Sequence, residues 1–351
     1  MLCSKNIIAI PPGMTIREQL EDRKMSQKEF ALRMSMTEKH ISQLINGKVE
    51  LTHDVAVRLE TVLGLPSSFW NKLEMLYRDQ EIRAKQELEL EQDGELARKF
   101  PYREIAALEW VPKTRKIEEK VKNLRKFFEV ANLGVLDELC VPGIAFRTLG
   151  ANLTSDYALA VWSQKARIVA RKGASGPIDI RRLRNRVQNI RDLLVETPDY
   201  FYPKLKELLS ECGVVLVFLP HIEGSFLHGA SFVDGKHIVL GLTVRGKDAD
   251  KFWFSLFHEL YHIFEGHIYD MSGESEEKEF MADQFAADTL ISPEEYQKFV
   301  VCNDMSKEAI VAFAQEVNTT PGIIVGRLQK EKKIPYNWHI ELKRRYEIQN
   351  K

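Results

Sequence analysis

Residues 248–267 read DADKFWFSLFHELYHIFEGH, and this stretch decides the C-terminal fold. Phe252, Trp253, Phe254, Leu256, Phe257, Leu260 and Ile263 recur at helical spacing, so a core-facing helix is expected over about 249–265, with Gly266 just past its end. Set within it are His258, Glu259 and His262. Side chains four positions apart on a helix stand one above the other, so two imidazoles are presented to one point in space. Such a pair can hold a tetrahedral Zn²⁺, with the intervening glutamate reaching the metal-held water as general base. Placing two histidines and a glutamate in so apolar a helix costs desolvation unless they serve a purpose. Zinc-dependent hydrolysis is the expected chemistry, with His258 and His262 as ligands and Glu259 as base.

A third protein ligand is required. The metzincin spacing needs glycine three and histidine six residues after the second ligand, but those positions hold Glu265 and Ile268, which excludes that class. The next helix, expected over about 276–290 and stopped by Ser292-Pro293, opens with Glu276, Glu277 and Glu279. Glu279 is favoured because Asp283 lies one turn later on the same face, placed to orient a ligand histidine. Glu276 stays as the alternative, and both also suit an acidic first turn stabilised by the helix dipole. His267 reads as a capping or supporting residue rather than a ligand. His221 and His228 read as structural or substrate-facing.

Upstream, a helix from about 202 ends at Gly213, and Val214 to Leu219 is an unbroken apolar run of the buried-strand type. Two further strands, 225–233 and 237–242, are expected to be joined by Asp234-Gly235, a strong hairpin signal. The order helix, small antiparallel sheet, metal helix, second helix is zincin-like. Downstream, 309–331 reads either as a further helix-turn-helix-like element or as helices covering the core.

The N-terminal part has a different grammar. From Thr15 to about Tyr77 short amphipathic helices follow one another. Ser26 with Glu29 forms a capping box ahead of Phe30, Ala31 and Met34, and a further helix runs from Thr37 to Gly47 after the tight Ser35-Met36 connection. That is the outline of a helix-turn-helix. The charged stretch 79–99 reads as a solvated helical connector. The expected division is therefore 1–79 helix-turn-helix, 80–100 linker, 101–199 helical middle region with Gly and Pro breaks such as Pro142-Gly143, and 200–351 metal-binding domain. The fold class is mainly α, of α+β type. Between 165 and 191, Lys165, Arg167, Arg171, Lys172, Arg181, Arg182, Arg184, Arg186 and Arg191 face only Asp179, which suggests a solvated helix face or a phosphate-facing surface.

The 351 residues carry a formal net charge of −1, so no global field draws the molecule to nucleic acid or membrane, and any DNA binding must be local. The first residues lack the signature of a secretory signal, and no apolar run approaches the roughly 20 residues that span a bilayer. A cytoplasmic protein with no membrane partner is expected. Cys3, Cys140, Cys212 and Cys302 show no paired spacing, which argues for reduced thiols rather than a disulfide framework.

The metal-helix stretch, followed by EFMADQFAADTLISP at 279–293, resembles the ImmA/IrrE family of zinc metallopeptidases, in which an HExxH helix precedes a glutamate helix of pattern ExxA(N/D)xFAAxxLxxP. The resemblance covers about 200–330, with weaker similarity at 124–170. It implies His258, His262 and Glu279 as zinc ligands and Glu259 as catalytic base. The chain departs from the family at Tyr261, where glycine is common. Residues 11–64 resemble Xre-type helix-turn-helix domains, and HigA-type antitoxins in particular, through SQKEFA, HISQLINGK and LTHDVAVRLE. That resemblance implies DNA as partner, with Thr37, Glu38, Lys39 and Gln43 at base edges and Gln27 and Lys48 at phosphates. Over 1–79, lysine and arginine barely outnumber the acids, so a homodimer on a palindromic site is expected to supply the attraction a monomer lacks. Together the resemblances imply a regulator whose peptidase domain cleaves a repressor or partner protein. The alternative is an antitoxin or autoregulator whose peptidase-like domain senses a ligand or binds a cognate toxin without turnover.

Overall fold

The computed structural model describes residues 2–137, 153–171, 173, 176–223, 229–243, 248–269 and 276–346. Cys140, Pro142-Gly143, Lys172, His228 and the first part of the expected strand at 225–233 lie outside the described residues. The chain forms two compact units, Met1–Leu96 and Ala97–Lys351.

In the first unit, a two-residue antiparallel pair, β1 (Leu2–Cys3) with β2 (Ile8–Ala9), precedes α1 (Gly13–Asp22), α2 (Gln27–Arg33), α3 (Glu38–Ile45) and α4 (His53–Leu63). Side-chain caps set the helix starts. Ser26 accepts from the Glu29 amide, Thr37 from that of His40 and Thr52 from that of Val55. The capping box expected at Ser26 is one-sided, because the Glu29 carboxylate accepts from Arg33 at 2.7 Å. Ile16, Phe30, Met34, Ile41, Leu59 and Trp70 close the core.

The next helix, α5, runs unbroken over Ser67–Ala97. The expectation of a solvated connector at 79–99 is corrected in part. Ala84 and Asp93 are buried within it, and Glu87 accepts from Ser4 and Asn6, which pins the N-terminal hairpin to the helix. Composition recorded the charge of this stretch but not which of its positions are covered.

The second unit begins with α6 (Tyr102–Ala107), α7 (Ile117–Phe128), α8 (Leu153–Ala170), α9 (Ile180–Asn185), α10 (Val187–Asp192) and α11 (Pro198–Ser210). A three-stranded sheet follows, built from β3 (Val214–Leu219), β4 (Gly229–Asp234) and β5 (His237–Thr243) in the order β3-β5-β4. It is mixed. β4 and β5 are antiparallel, but β3 runs parallel to β5, from Val214 opposite Ile238 to Leu219 opposite Thr243. The antiparallel expectation fails here for a physical reason. β5 takes the centre, covered on both faces, and so accepts β3 on the edge away from its hairpin partner. Leu216, Ile238, Leu240 and Leu242 join the main core, whereas Gly241 on the opposite face lies against the Trp162 ring of α8. The hairpin also turns one residue later than the Asp-Gly signal suggested. Asp234 pairs with His237, leaving Gly235 (φ +60) and Lys236 as the loop, with glycine at the first turn position.

After the sheet come α12 (Ala249–Phe264), α13 (Glu276–Leu290), α14 (Pro293–Cys302), α15 (Lys307–Glu316) and α16 (Pro321–Lys330). Trp253, Leu256, Phe257, Leu260 and Ile263 of α12 bury into one core with Ile310 and Phe313 of α15 and Ile324 and Leu328 of α16. Of the two readings for 309–331, these helices therefore cover the core. The C-terminal segment clamps the start of α12: Ala249 donates its amide to the Arg344 carbonyl, Trp253 Nε1 donates to the Tyr346 hydroxyl at 2.9 Å, and Lys343 pairs with Asp250 at 2.7 Å.

The basic stretch at 165–191 is neither simply solvated nor simply phosphate-facing. Arg167 meets Asp234, Arg171 meets Glu129, Arg182 and Arg186 share Glu211, Arg184 meets Glu265, and Arg191 donates to the carbonyls of Thr289 and Val317. These partners are distant in sequence, so a local charge count could not find them. No helix of the described residues is long and apolar enough to cross a membrane.

Candidate functional site

His258 and His262 lie one turn apart on the half-buried face of α12, and α13 packs beside them. His258 Nε2 stands 3.1 Å from His262 Nε2. Glu279, on the first turn of α13, reaches both: its Oε2 is 3.3 Å from His258 Nε2 and its Oε1 is 3.2 Å from His262 Nε2. One ligand atom from each of the three residues lies within 4.8 Å of the others. The fold thus brings Glu279 to the histidine pair, while Glu276 is exposed at the helix start.

Each histidine is held from behind. His258 Nδ1 faces Asp283 Oδ1 at 3.0 Å, and Asp283 Oδ2 in turn accepts from Lys330 at 2.8 Å. His262 Nδ1 faces His267 Nδ1 at 2.9 Å. With each Nδ1 engaged, each Nε2 is the atom turned to the centre, as a ligating histidine requires.

The electrostatics follow from that packing. Burial disfavours the charged form of His258, but Asp283 and Glu279 outweigh it and raise its pKa from 6.5 to about 10. Hydrogen bonds from His258 and His262 hold the Glu279 carboxyl well below the usual carboxylate range. Burial pushes Asp283 upward, yet His258 and Lys330 bring it below its ordinary value.

The arrangement fits a metal by its donor chemistry. Two imidazole nitrogens and one carboxylate converge, with the two oxygens of Glu279 each facing one of the Nε2 atoms. A two-histidine, one-glutamate set is a known catalytic zinc donor set, which leaves a position open for water or substrate.

Glu259 is only 7 % exposed, on the sheet side of α12. Its Oε2 accepts from Ser231 Oγ of β4 at 2.8 Å. A Cβ on Gly229 would lie 2.8 Å from Glu259 Cγ and 2.9 Å from its Oε1, so β4 leaves that room by having no side chain there. Sequence reading missed Ser231, Gly229 and Lys330, because each meets the site through long-range packing that no local spacing records. Tyr261 is half-buried, its ring centroid 6.3 Å from that of His262, 5.9 Å from His267 and 5.5 Å from Phe285. It does not belong to the three-residue cluster.

In the first unit, Thr37, Glu38 and Lys39 are exposed at the start of α3, Gln43 is partly exposed one turn on, and Lys48 is exposed just beyond the helix. Gln27 is exposed at the start of α2. The Thr37 hydroxyl also accepts from the His40 amide, so it has a structural task.

The helix-turn-helix family model HTH_3 matches residues 16–70. Over 63 residues the chain is 35 % identical to YddM, an uncharacterised HTH-type transcriptional regulator of Escherichia coli (strain K12), covering 18 % of this chain and 67 % of that protein. The chain belongs to the helix-turn-helix family. Two solved structures are also similar to this helix-turn-helix protein. One is an addiction-module antidote protein of the HigA family from Coxiella burnetii, with 27 % identity over 24 % of this chain and 92 % of that one and a TM-score of 0.22. The other is an antidote protein of a plasmid maintenance system from Nostoc punctiforme, with 28 % identity, 24 % and 94 % coverage and a TM-score of 0.24.

Proposed function

We propose that this helix-turn-helix regulator is also a zinc endopeptidase that cleaves a repressor or another partner protein. The observation carrying this reading is the convergence of His258 Nε2, His262 Nε2 and Glu279 on one point. These three residues would hold Zn²⁺, which when bound supplies Lewis acidity for the scissile carbonyl and the attacking water. Glu259 takes a proton from the water at its carboxylate and returns it to the leaving amine. Ser231 holds one oxygen of that carboxylate, and the close backbone of Gly229 confines it. Asp283 and His267 hold the two histidine rings in the orientation that ligation needs.

The first unit supplies the address. DNA is its partner, with Thr37, Glu38, Lys39 and Gln43 placed for base edges and Gln27 and Lys48 for phosphates, and the working form is a homodimer on a palindromic site. Glu259→Gln tests the enzymatic half. It should retain zinc and DNA binding and lose cleavage and its regulatory effect.

A second reading is favoured by one observation, the Tyr261 ring set against His262 and His267. In that reading the C-terminal unit binds a ligand or a toxin without turnover, as an antitoxin or autoregulator would. An unchanged regulatory effect in Glu259→Gln would then be the result.

A further inference from the structure

Lys330 is the last residue of α16, remote in sequence from both metal-site helices, yet it closes the back of the site. Its Nζ donates to Asp283 Oδ2 at 2.8 Å and lies 4.2 Å from the centroid of the Phe254 ring. Phe254 is one helical turn before His258 on α12, with ring centroids 6.3 Å apart. Asp283 is one turn after Glu279 on α13, and its other oxygen faces His258 Nδ1 at 3.0 Å. Lys330 therefore touches the support of the first ligand from two sides: the aromatic ring packed beside His258 and the carboxylate bonded behind it.

We propose that Lys330 is a positioning residue for the metal site. By holding one Asp283 oxygen, it turns the other toward His258 Nδ1 and so aims His258 Nε2 at Glu279 and the ion. The inference rests on the zinc site proposed above and extends it: the affinity of that site depends on the docking of α16. An aspartate free to rotate between solvent and His258 would hold the ring only part of the time. The Lys330 and Asp283 side chains are 57 % and 42 % exposed, so their ion pair adds little to global stability and the lysine can be replaced without unfolding the chain. The cation on the Phe254 ring fixes its approach.

The test is zinc affinity of the full chain, measured by competition with a chromophoric chelator, together with the visible spectrum of the Co²⁺-substituted protein. Lys330→Met keeps the aliphatic stem and removes the charge. It should weaken zinc roughly three- to tenfold, short of the 10- to 100-fold loss typical when a direct partner of a ligand histidine is removed. It should also alter the Co²⁺ spectrum while leaving the melting temperature unchanged. Lys330→Arg should restore both readouts. In an Asp283→Asn background, Lys330→Met should have no further effect, because the route through Asp283 is already cut. Wild-type affinity and spectrum in Lys330→Met, or an equal loss in the Asp283→Asn background, would overturn the positioning role and leave the zinc site standing. A wild-type chain that binds neither Zn²⁺ nor Co²⁺ would overturn both.

Discussion

Zinc uptake should displace a proton from His258, and the number of protons released can be worked from the packing. In the metal-free chain Asp283 and Glu279 raise the pKa of this imidazole to about 10, against an ordinary 6.5. At pH 7.5 the raised value leaves essentially a full proton on His258, whereas the ordinary value would leave about a tenth. A ligand histidine must be neutral, so binding releases that proton. Zinc affinity should therefore rise about tenfold per pH unit from near-neutral pH toward pH 10. Isothermal titration with zinc at pH 7.5, in buffers of different ionisation enthalpy, reads the release directly. About one proton per zinc is expected, and less in an Asp283→Asn variant, which keeps all three ligands and loses one of the two carboxylates that charge His258. Release of a tenth of a proton or less by the wild type would refute the claim that these carboxylates charge His258. The same shift has a stability consequence in the metal-free chain. The raised pKa stabilises the fold fully below pH 6.5, and that contribution is lost as pH rises toward about 10.

Other outcomes follow from single contacts. Gly229→Ala places a Cβ 2.8 Å from Glu259 Cγ, so the carboxylate must shift. Turnover on a quenched-fluorescent peptide library should fall about a hundredfold, the order of loss for a misplacement near 1 Å, with zinc content unchanged. Lys343→Met strands the Asp250 carboxylate, whose side chain is 9 % exposed. Urea unfolding should show a loss of about 3–5 kcal/mol, largely recovered when Asp250→Leu is added. In the first unit, Lys48→Ala should weaken binding to all DNA sequences alike and lower the salt slope by about 1, while Gln43→Ala should relax sequence preference at one base pair, both read by fluorescence anisotropy on fragments selected from genomic DNA.

Much of the helical scaffold was legible because its signals are local. Ser26, Thr37 and Thr52 cap their helices through bonds three residues long. The apolar face from Phe252 to Ile263 gives α12 its length and its buried side. Local signals also placed His258 and His262 together and favoured Glu279 over Glu276 as the third carboxylate, because Asp283 follows it one turn later. How α13 packs on α12, which sets Glu279 beside both histidines, is what spacing alone could not supply. Strand direction was not legible. The run Val214–Leu219 declares burial on both faces but says nothing of whether its neighbour runs with it or against it. The Asp234-Gly235 signal located a hairpin and missed its register by one residue, because Gly235 serves as the first turn position instead of the second. The arginines of 165–191 looked unopposed only because their acidic partners lie far along the chain. Lys330 and Ser231 were invisible for the same reason.

The most direct test of the account is the zinc content of the dialysed full-length protein, by elemental analysis, beside His258→Ala. One zinc per wild-type chain, lost in the variant, is the predicted result. A wild-type chain that holds no zinc, even when the ion is supplied at neutral pH, would contradict the metal site and leave a helix-turn-helix regulator without the proposed hydrolase.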